Sequence, residues 1–339
     1  MNVKQQTREL WKTCFGDPDE WIEMYFRRRY ADDINKYIEM DGNVVSALQV
    51  IPYTMTFGAG QEVPVGYISG ACTRPDCRGR GLMRRLLREV HREMYDQGVW
   101  LSTLIPAEEW LKGYYERSGY ATCFHYEELH FAADSNLLPA AQTLTARATS
   151  MDDEAYSLFG KCMKMRPCCI QHSRDDLETV MEDIRMAGGG LYGIYNKGIL
   201  SGLAFCLSPS GGVLQVRELL LDDGVGVEAA LRALCWEAGV AEAVCILPPE
   251  FAPRELGMAR VIRVEDALGR YAQLHPSEEM CIEVMGDDAI EENCGFWLVS
   301  GGRCRRVAAS VSAVRVMAVS ALTRMLLEDL RPYMSLMMN

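Results

Sequence analysis

The 339-residue sequence predicts an α+β (α/β) protein of two or three domains, with mixed sheets flanked by helices. Three observations predict it. Strand-like and helical patterns alternate along the chain. The pattern begins again near Leu144. One stretch, Gly66 to Val90, runs from an apolar strand-like segment through a glycine- and arginine-rich turn straight into a helical pattern. Apolar residues make up 49% of the chain, ample for separate cores.

The elements follow in order. Leu10, Trp11, Cys14 and Phe15 share one side of a first helix that Gly16 ends. Asp17 as N-cap, Pro18 in the first turn and Glu20 three residues after the cap predict a second helix over the run from Trp21. Lys36 to Met40 and Val44 to Met55 flank Asp41-Gly42-Asn43, a hairpin signal. Gly58-Ala59-Gly60 turns the chain into the strand that ends at Thr73, and a later apolar strand, Val99 to Ile105, is closed by Pro106.

Between those strands lies the stretch with chemistry in it. Leu82, Met83, Leu86, Leu87, Val90 and Met94 recur at helical spacing, so Gly81 sits at a helix start, where unpaired N–H groups and the macrodipole favour an anion. Six arginines (74, 78, 80, 84, 85 and 88) gather here in a chain of net charge −12. The pattern is neither a P-loop nor a dinucleotide fingerprint. Arg78-Gly79-Arg80-Gly81-Leu82-Met83 instead resembles the acyl-CoA loop of the GNAT N-acetyltransferases, Arg/Gln-x-x-Gly-x-Gly/Ala, departing from it at Met83. Tyr115-Glu116-Arg117-Ser118-Gly119-Tyr120 resembles the family's later Tyr-x-x-x-Gly-Phe/Tyr motif.

The resemblance implies acetyl-CoA as cosubstrate, bound by Ala71, Cys72 and Thr73 on the strand and by Arg78, Gly79, Arg80, Gly81, Leu82, Met83 and Arg84 at the loop. It implies Tyr115 as the general acid that protonates the departing thiolate. A phenol suits that task, because it donates strongly yet stays protonated at neutral pH. Glu108, Glu109 and Trp110 are candidates for attracting an ammonium group at the acceptor mouth, or for an ordinary solvated turn.

After a strand over Tyr126 to Phe131 and a linker over Asp134 to Thr143, the chain repeats the scheme. Helices are expected over Asp153 to Met165 and Arg174 to Met186, and strands over Leu191 to Tyr195, Ile199 to Ser208 and Val213 to Leu221. Where a second phosphate loop would follow, Asp222, Asp223 and Glu228 appear with no arginine, which predicts a degenerate copy. A third region brings strands at Met280 to Met285 and Gly295 to Ser300 and helical Ala318 to Leu330.

This order resembles the Eis (enhanced intracellular survival) acetyltransferases. It implies tandem GNAT folds with mixed, mostly antiparallel sheets: a catalytic domain over 1–135, a degenerate GNAT-like domain over 140–257 and a sterol-carrier-protein-like domain over 258–339. In that family the carboxylate of the last residue, here Asn339, serves as general base, and the subunits form a homo-oligomer, up to a hexamer. The apolar tail PYMSLMMN is expected to dock, either for that task or for stability alone.

Composition excludes several alternatives. The charge argues against nucleic acid and favours a cationic acceptor. No apolar run reaches 18 residues and the first residues lack an apolar signal core, so no membrane span is expected and the cytoplasm is the expected location. Thirteen scattered cysteines read as buried free thiols, and five histidines without H-x-x-x-H spacing predict no metal site. Among the histidines, His91 falls in the polar stripe of the loop helix. Cys72 reads as packing, with direct acetyl transfer to an amine preferred over a cysteine intermediate. The competing function is a non-catalytic protein that senses CoA or binds an apolar ligand in its C-terminal region.

Overall fold

The computed structural model describes residues 1–58, 60–133, 144–308 and 314–338. It divides into two compact units, one of residues 1–124 and 255–332, the other of 125–254 and 333–338. The expected linker at Asp134 to Thr143 and residue Asn339 lie outside the described residues.

The first unit opens with α1 (Val3–Phe15), capped by the Asn2 side chain and ended by Gly16 in the left-handed region, followed by α2 (Asp19–Arg28). Asp17 is not the cap expected of it. Its carboxylate accepts the indole N–H of Trp11 at 2.7 Å, and Pro18 holds the cap position without a side-chain bond. β1 (Asn35–Met40) and β2 (Asn43–Thr56) form a hairpin whose two-residue turn, Asp41 and Gly42, has φ of 51° and 74°. β3 (Glu62–Thr73), α3 (Leu82–Asp96), β4 (Leu101–Leu104), α4 (Trp110–Glu116) and β5 (Ala121–Ala132) follow.

Helix α3 lies on the sheet through Leu86, Leu87, Val90 and Met94, which pack with Val45, Leu48, Ile68 and Leu104. His91 belongs to this buried face rather than to a polar stripe. Its Nε2 is 3.0 Å from the Tyr120 hydroxyl, which is 2.6 Å from Ser102 Oγ. Burial first, and the nearby Arg260 second, push its pKa well down, so the ring is neutral.

In the second unit come β6 (Leu144–Ala148), α5 (Asp153–Met165), β7 (Ile170–Gln171), α6 (Arg174–Met186), β8 (Gly190–Asn196), β9 (Ile199–Ser210), β10 (Val213–Leu221), α7 (Val227–Ala238) and β11 (Glu242–Leu247). The sheet order here is β5-β11-β10-β9-β8-β6, antiparallel except where β10 meets β11. Arg166 and Glu218 form a buried bidentate pair at 2.8 and 3.0 Å, and the Tyr333 ring lies 4.8 Å from the guanidinium. The tail docks as expected over 333–338: Tyr333 N–H donates to the Cys168 carbonyl at 2.9 Å, and His172 Nε2 bonds the Ser335 carbonyl at 2.9 Å.

The chain then returns to the first unit with β12 (Arg254–Val261), which pairs antiparallel with β4, giving the order β1-β2-β3-β4-β12. It closes with α8 (Val264–Leu274), β13 (Met280–Met285), β14 (Gly295–Ser300), β15 (Arg303–Val307), β16 (Val314–Ala318) and α9 (Val319–Leu327). The last four strands make a separate sheet, β15-β14-β13-β16. Among the described residues no helix is long and apolar enough to cross a membrane.

Candidate active site

The site begins with a parting of strands. β3 and β4 run parallel and pair only at Val65–Leu101, Gly66–Ser102 and Tyr67–Thr103. β3 continues to Thr73 while β4 ends at Leu104, so one edge of β3 is bare from Ile68 onward. On the other edge β2 stays paired, with an irregularity between Ala47 and Gln49 that sets Gly70 and Ala71 against Leu48. Such a bulge bends a strand and re-aims its groups. Only glycine fits at 70, because φ is 59° and a Cβ would stand 2.0 Å from the Trp11 ring. Beyond the bulge, Arg74 N–H donates to Val45 across to β2 at 2.9 Å. Alternation along an extended strand then turns the Thr73 N–H to the bare edge.

Tyr115 stands at this opening. It is the buried residue of short helix α4, packed edge-on against Tyr114 and Tyr120 at ring separations of 5.5 and 5.8 Å. Burial is the main cause that raises its pKa above the ordinary phenol value, with the neighbouring tyrosines and Cys72 adding to it. The phenol is therefore protonated at neutral pH. Tyr67 is buried close by, its hydroxyl accepting the Ile105 backbone N–H.

The loop that follows is shaped for an anion. Gly79 and Gly81 have φ of 76° and 74°, and a Cβ on either would meet open space, so left-handed backbone rather than crowding is what selects glycine here. α3 starts at Leu82 with no acidic residue in its first turn, leaving its N–H groups and positive end uncompensated. Arg78 Nε donates to the Thr73 carbonyl at 3.1 Å and Arg80 to the Asp76 carbonyl at 3.4 Å. Both side chains remain exposed and positive. Leu82 and Met83 turn inward onto the core, so they offer a ligand only their backbone. The Met83 departure from the family pattern therefore leaves the amides in place. Arg84 points along the helix flank toward Asp288 at 3.5 Å.

Cys72 is buried and its thiol is held protonated, pushed well above the usual range by Cys14 first and by burial second. Cys14, half-buried on α1, donates to the Thr73 carbonyl at 3.5 Å and is drawn down to about 7 by the Cys72 thiol and by Arg78. Glu108 and Glu109 are exposed and engaged: Glu108 accepts from Trp110 Nε1 at 2.7 Å, and Lys112 bonds Glu109 at 2.7 Å and Glu255 at 2.5 Å. Trp110 itself is 68% exposed. Among the described residues no cluster of His, Cys, Asp or Glu is placed to hold a metal.

Sequence reasoning missed one buried polar group in this half of the molecule. Tyr25 on α2 places its hydroxyl 3.0 Å from Gln49 Oε1 and 2.7 Å from Ser69 Oγ, joining β2 and β3 just ahead of the bulge. Burial pushes its pKa up to about 12. The signal was present: Gln49 and Ser69 are polar residues inside otherwise apolar strands.

With this geometry, the comparisons are direct. Residues 3–123 match the family model described as Acetyltransferase (GNAT) domain, so this segment is a GNAT acetyltransferase domain. No curated protein sequence matches the chain. Solved structures with the same fold include a protein of Enterococcus faecalis described as a "Probable N-Acyltransferase" (17% identity, TM-score 0.75, 95% of this chain and 86% of that one) and Eis1 of Mycobacterium abscessus (12%, 0.71, 95% and 86%). A GCN5-related N-acetyltransferase of Kribbella flavida is similar over 97% of this chain and 94% of its own, at 20% identity and TM-score 0.70. The mixed α/β architecture agrees with the tandem GNAT fold expected from the sequence.

Proposed function

We propose that the chain transfers an acetyl group from acetyl-CoA directly to a primary amine of a cationic acceptor, such as an aminoglycoside-like compound, a polyamine or a lysine side chain. The observation that carries this is the bare edge of β3 beyond Tyr67, bordered by the protonated Tyr115 at one side and the glycine loop at the other. The residues fit the cosubstrate. Open left-handed glycines and an uncompensated helix start suit a pyrophosphate, and a bare strand edge offers backbone groups to the pantetheine amides.

Acetyl-CoA would supply an activated thioester. The chain's own groups do the rest. The Thr73 N–H on the bare edge is a donor for the carbonyl oxygen, where negative charge grows during attack. Tyr115 donates its proton to the departing sulfur. Cys72 stays a thiol and packs, so no covalent step passes through it. The base that takes the amine proton is proposed, from the Eis resemblance, to be the carboxylate of Asn339, and the docked segment 333–338 is consistent with a tail held in one place. The sterol-carrier-protein-like character of the region after 258, a homo-oligomer and a cytoplasmic location belong to the same proposal.

The test is release of CoA thiol from acetyl-CoA in the presence of aminoglycosides, polyamines and lysine peptides. Amine-dependent release supports transfer. Binding of acetyl-CoA without release with any amine supports the non-catalytic alternative instead.

A further inference from the structure

From Gly81 at the end of the glycine loop, a cleft of about 470 Å³ runs down the flank of α3. Five arginines (84, 85, 88, 117 and 260) and three carboxylates (Glu116, Asp287 and Asp288) line it, in a chain whose overall balance is strongly acidic. Most of that negative charge is already spoken for. Asp287 is buried and bonds Arg260 at 2.6 Å, Asn293 at 2.9 Å and the N–H groups of Ala289 and Ile290 at 3.1 Å. Asp288 meets Arg84 only at 3.5 Å, with both side chains more than 60% exposed, an arrangement worth little in water.

Among the described residues two of the cations have no counter-ion: Arg88 makes no hydrogen bond or ion pair, and Arg117 only lies over the Tyr114 ring at 5.8 Å. Ala318, Val319 and Ser320 at the start of α9 also line the cleft, and Ala318 at the cap offers the first-turn N–H groups no side-chain bond. Guanidinium forks and free amides together match phosphate oxygens better than they match a carboxylate or a halide. From Gly81 to Arg88 is seven residues, about 10 Å along the helix, so a phosphate on Arg88 lies farther down the cleft than the one expected at the glycine loop.

We infer that this cleft is a second phosphate-recognition site, taking a phosphomonoester dianion on Arg88, Arg117 and the start of α9. The phosphate has two possible sources: the 3′-phosphate of a bound CoA, which rests on the acetyl-CoA reading above, or a separate phosphorylated small molecule, which does not. The region after 258 then has a task in the first unit, since it supplies one wall of the site.

The experiment is calorimetric titration in phosphate-free buffer of the wild type and an Arg88→Ala, Arg117→Ala double variant, both exposed positions, of which Arg117 touches the Tyr114 ring. Three probes are used: acetyl-CoA, 3′-dephospho-acetyl-CoA, and ribose 5-phosphate added to protein saturated with acetyl-CoA. If CoA is the source, the wild type binds acetyl-CoA about tenfold or more tightly than the dephospho form, and the variant binds the two alike. If the source is separate, that ratio is near one, and ribose 5-phosphate binds the wild type but not the variant. No discrimination between the CoA forms together with no binding of ribose 5-phosphate that the variant weakens overturns the site. Failure of acetyl-CoA itself to bind sinks the acetyl-CoA reading, and the ribose 5-phosphate titration, then run on the protein alone, still decides this one.

Discussion

Replacing Tyr115 with Phe removes one oxygen and almost nothing else. The ring keeps its edge contacts with Tyr114 and Tyr120, and loss of a single hydroxyl changes stability by about 1 kcal/mol at most. If that hydroxyl protonates the departing thiolate, kcat should fall by about 10²- to 10⁴-fold, the usual worth of a positioned acid. This is about 2.7 to 5.4 kcal/mol of barrier. Affinity for acetyl-CoA, measured by calorimetry, should stay within about twofold, because the loop amides and arginines are untouched.

The pH profile gives a second reading of the same group. Burial raises the phenol's pKa, so the folded protein holds this proton more tightly than the unfolded chain does. The associated stabilisation is fully present below about pH 10 and is lost only as pH rises through the folded value. Loss of kcat through ionisation of Tyr115 should therefore lie above pH 10. Turnover by Tyr115→Phe within about threefold of wild type, with an unchanged profile, would refute the assignment of Tyr115 as acid.

Other expectations follow from single contacts. Gly70→Ala should cost about 2 kcal/mol or more in urea unfolding, since the new Cβ meets the Trp11 ring in a backbone region that disfavours side chains; stability equal to wild type would contradict the bulge. Glu218→Gln strands the buried Arg166 charge and should destabilise by about 3 to 5 kcal/mol, whereas a loss under about 1 kcal/mol would show the pair to be solvated. Gly81→Val should weaken acetyl-CoA binding at least about tenfold while leaving the far-ultraviolet spectrum unchanged, because it strains the helix start without filling any space.

How much of this was legible depended on whether the deciding interaction was local. Helices α5 and α6 appear at the bounds expected because their caps are written beside them: Asp152 accepts Ala155 N–H, and Ser173 forms a capping box with Asp176. The hairpin at Asp41-Gly42 and strands β13 and β14 were equally readable. The short strands β6, β11, β12, β15 and β16 were not. β12 is decided by its pairing with β4, about 150 residues earlier, which no local pattern records. Asp17 was misplaced as a cap because Trp11 claims its carboxylate. His91 was misplaced because polarity outweighed phase: it lies four residues after Leu87 and three before Met94, both buried, so the helical period itself puts it inside. At the site, the loop and Tyr115 were visible as motifs, whereas the bare edge of β3 emerged only from where β4 stops.

Titration of the purified protein with acetyl-CoA, beside an Arg78→Glu, Arg80→Glu variant, bears most directly on acyl transfer at this opening. Micromolar binding, about −8 kcal/mol, that the variant largely abolishes is the expected result. An acetyl-CoA affinity that the two substitutions leave unchanged, or no binding by the wild type, would mean that residues 78–83 hold no pyrophosphate.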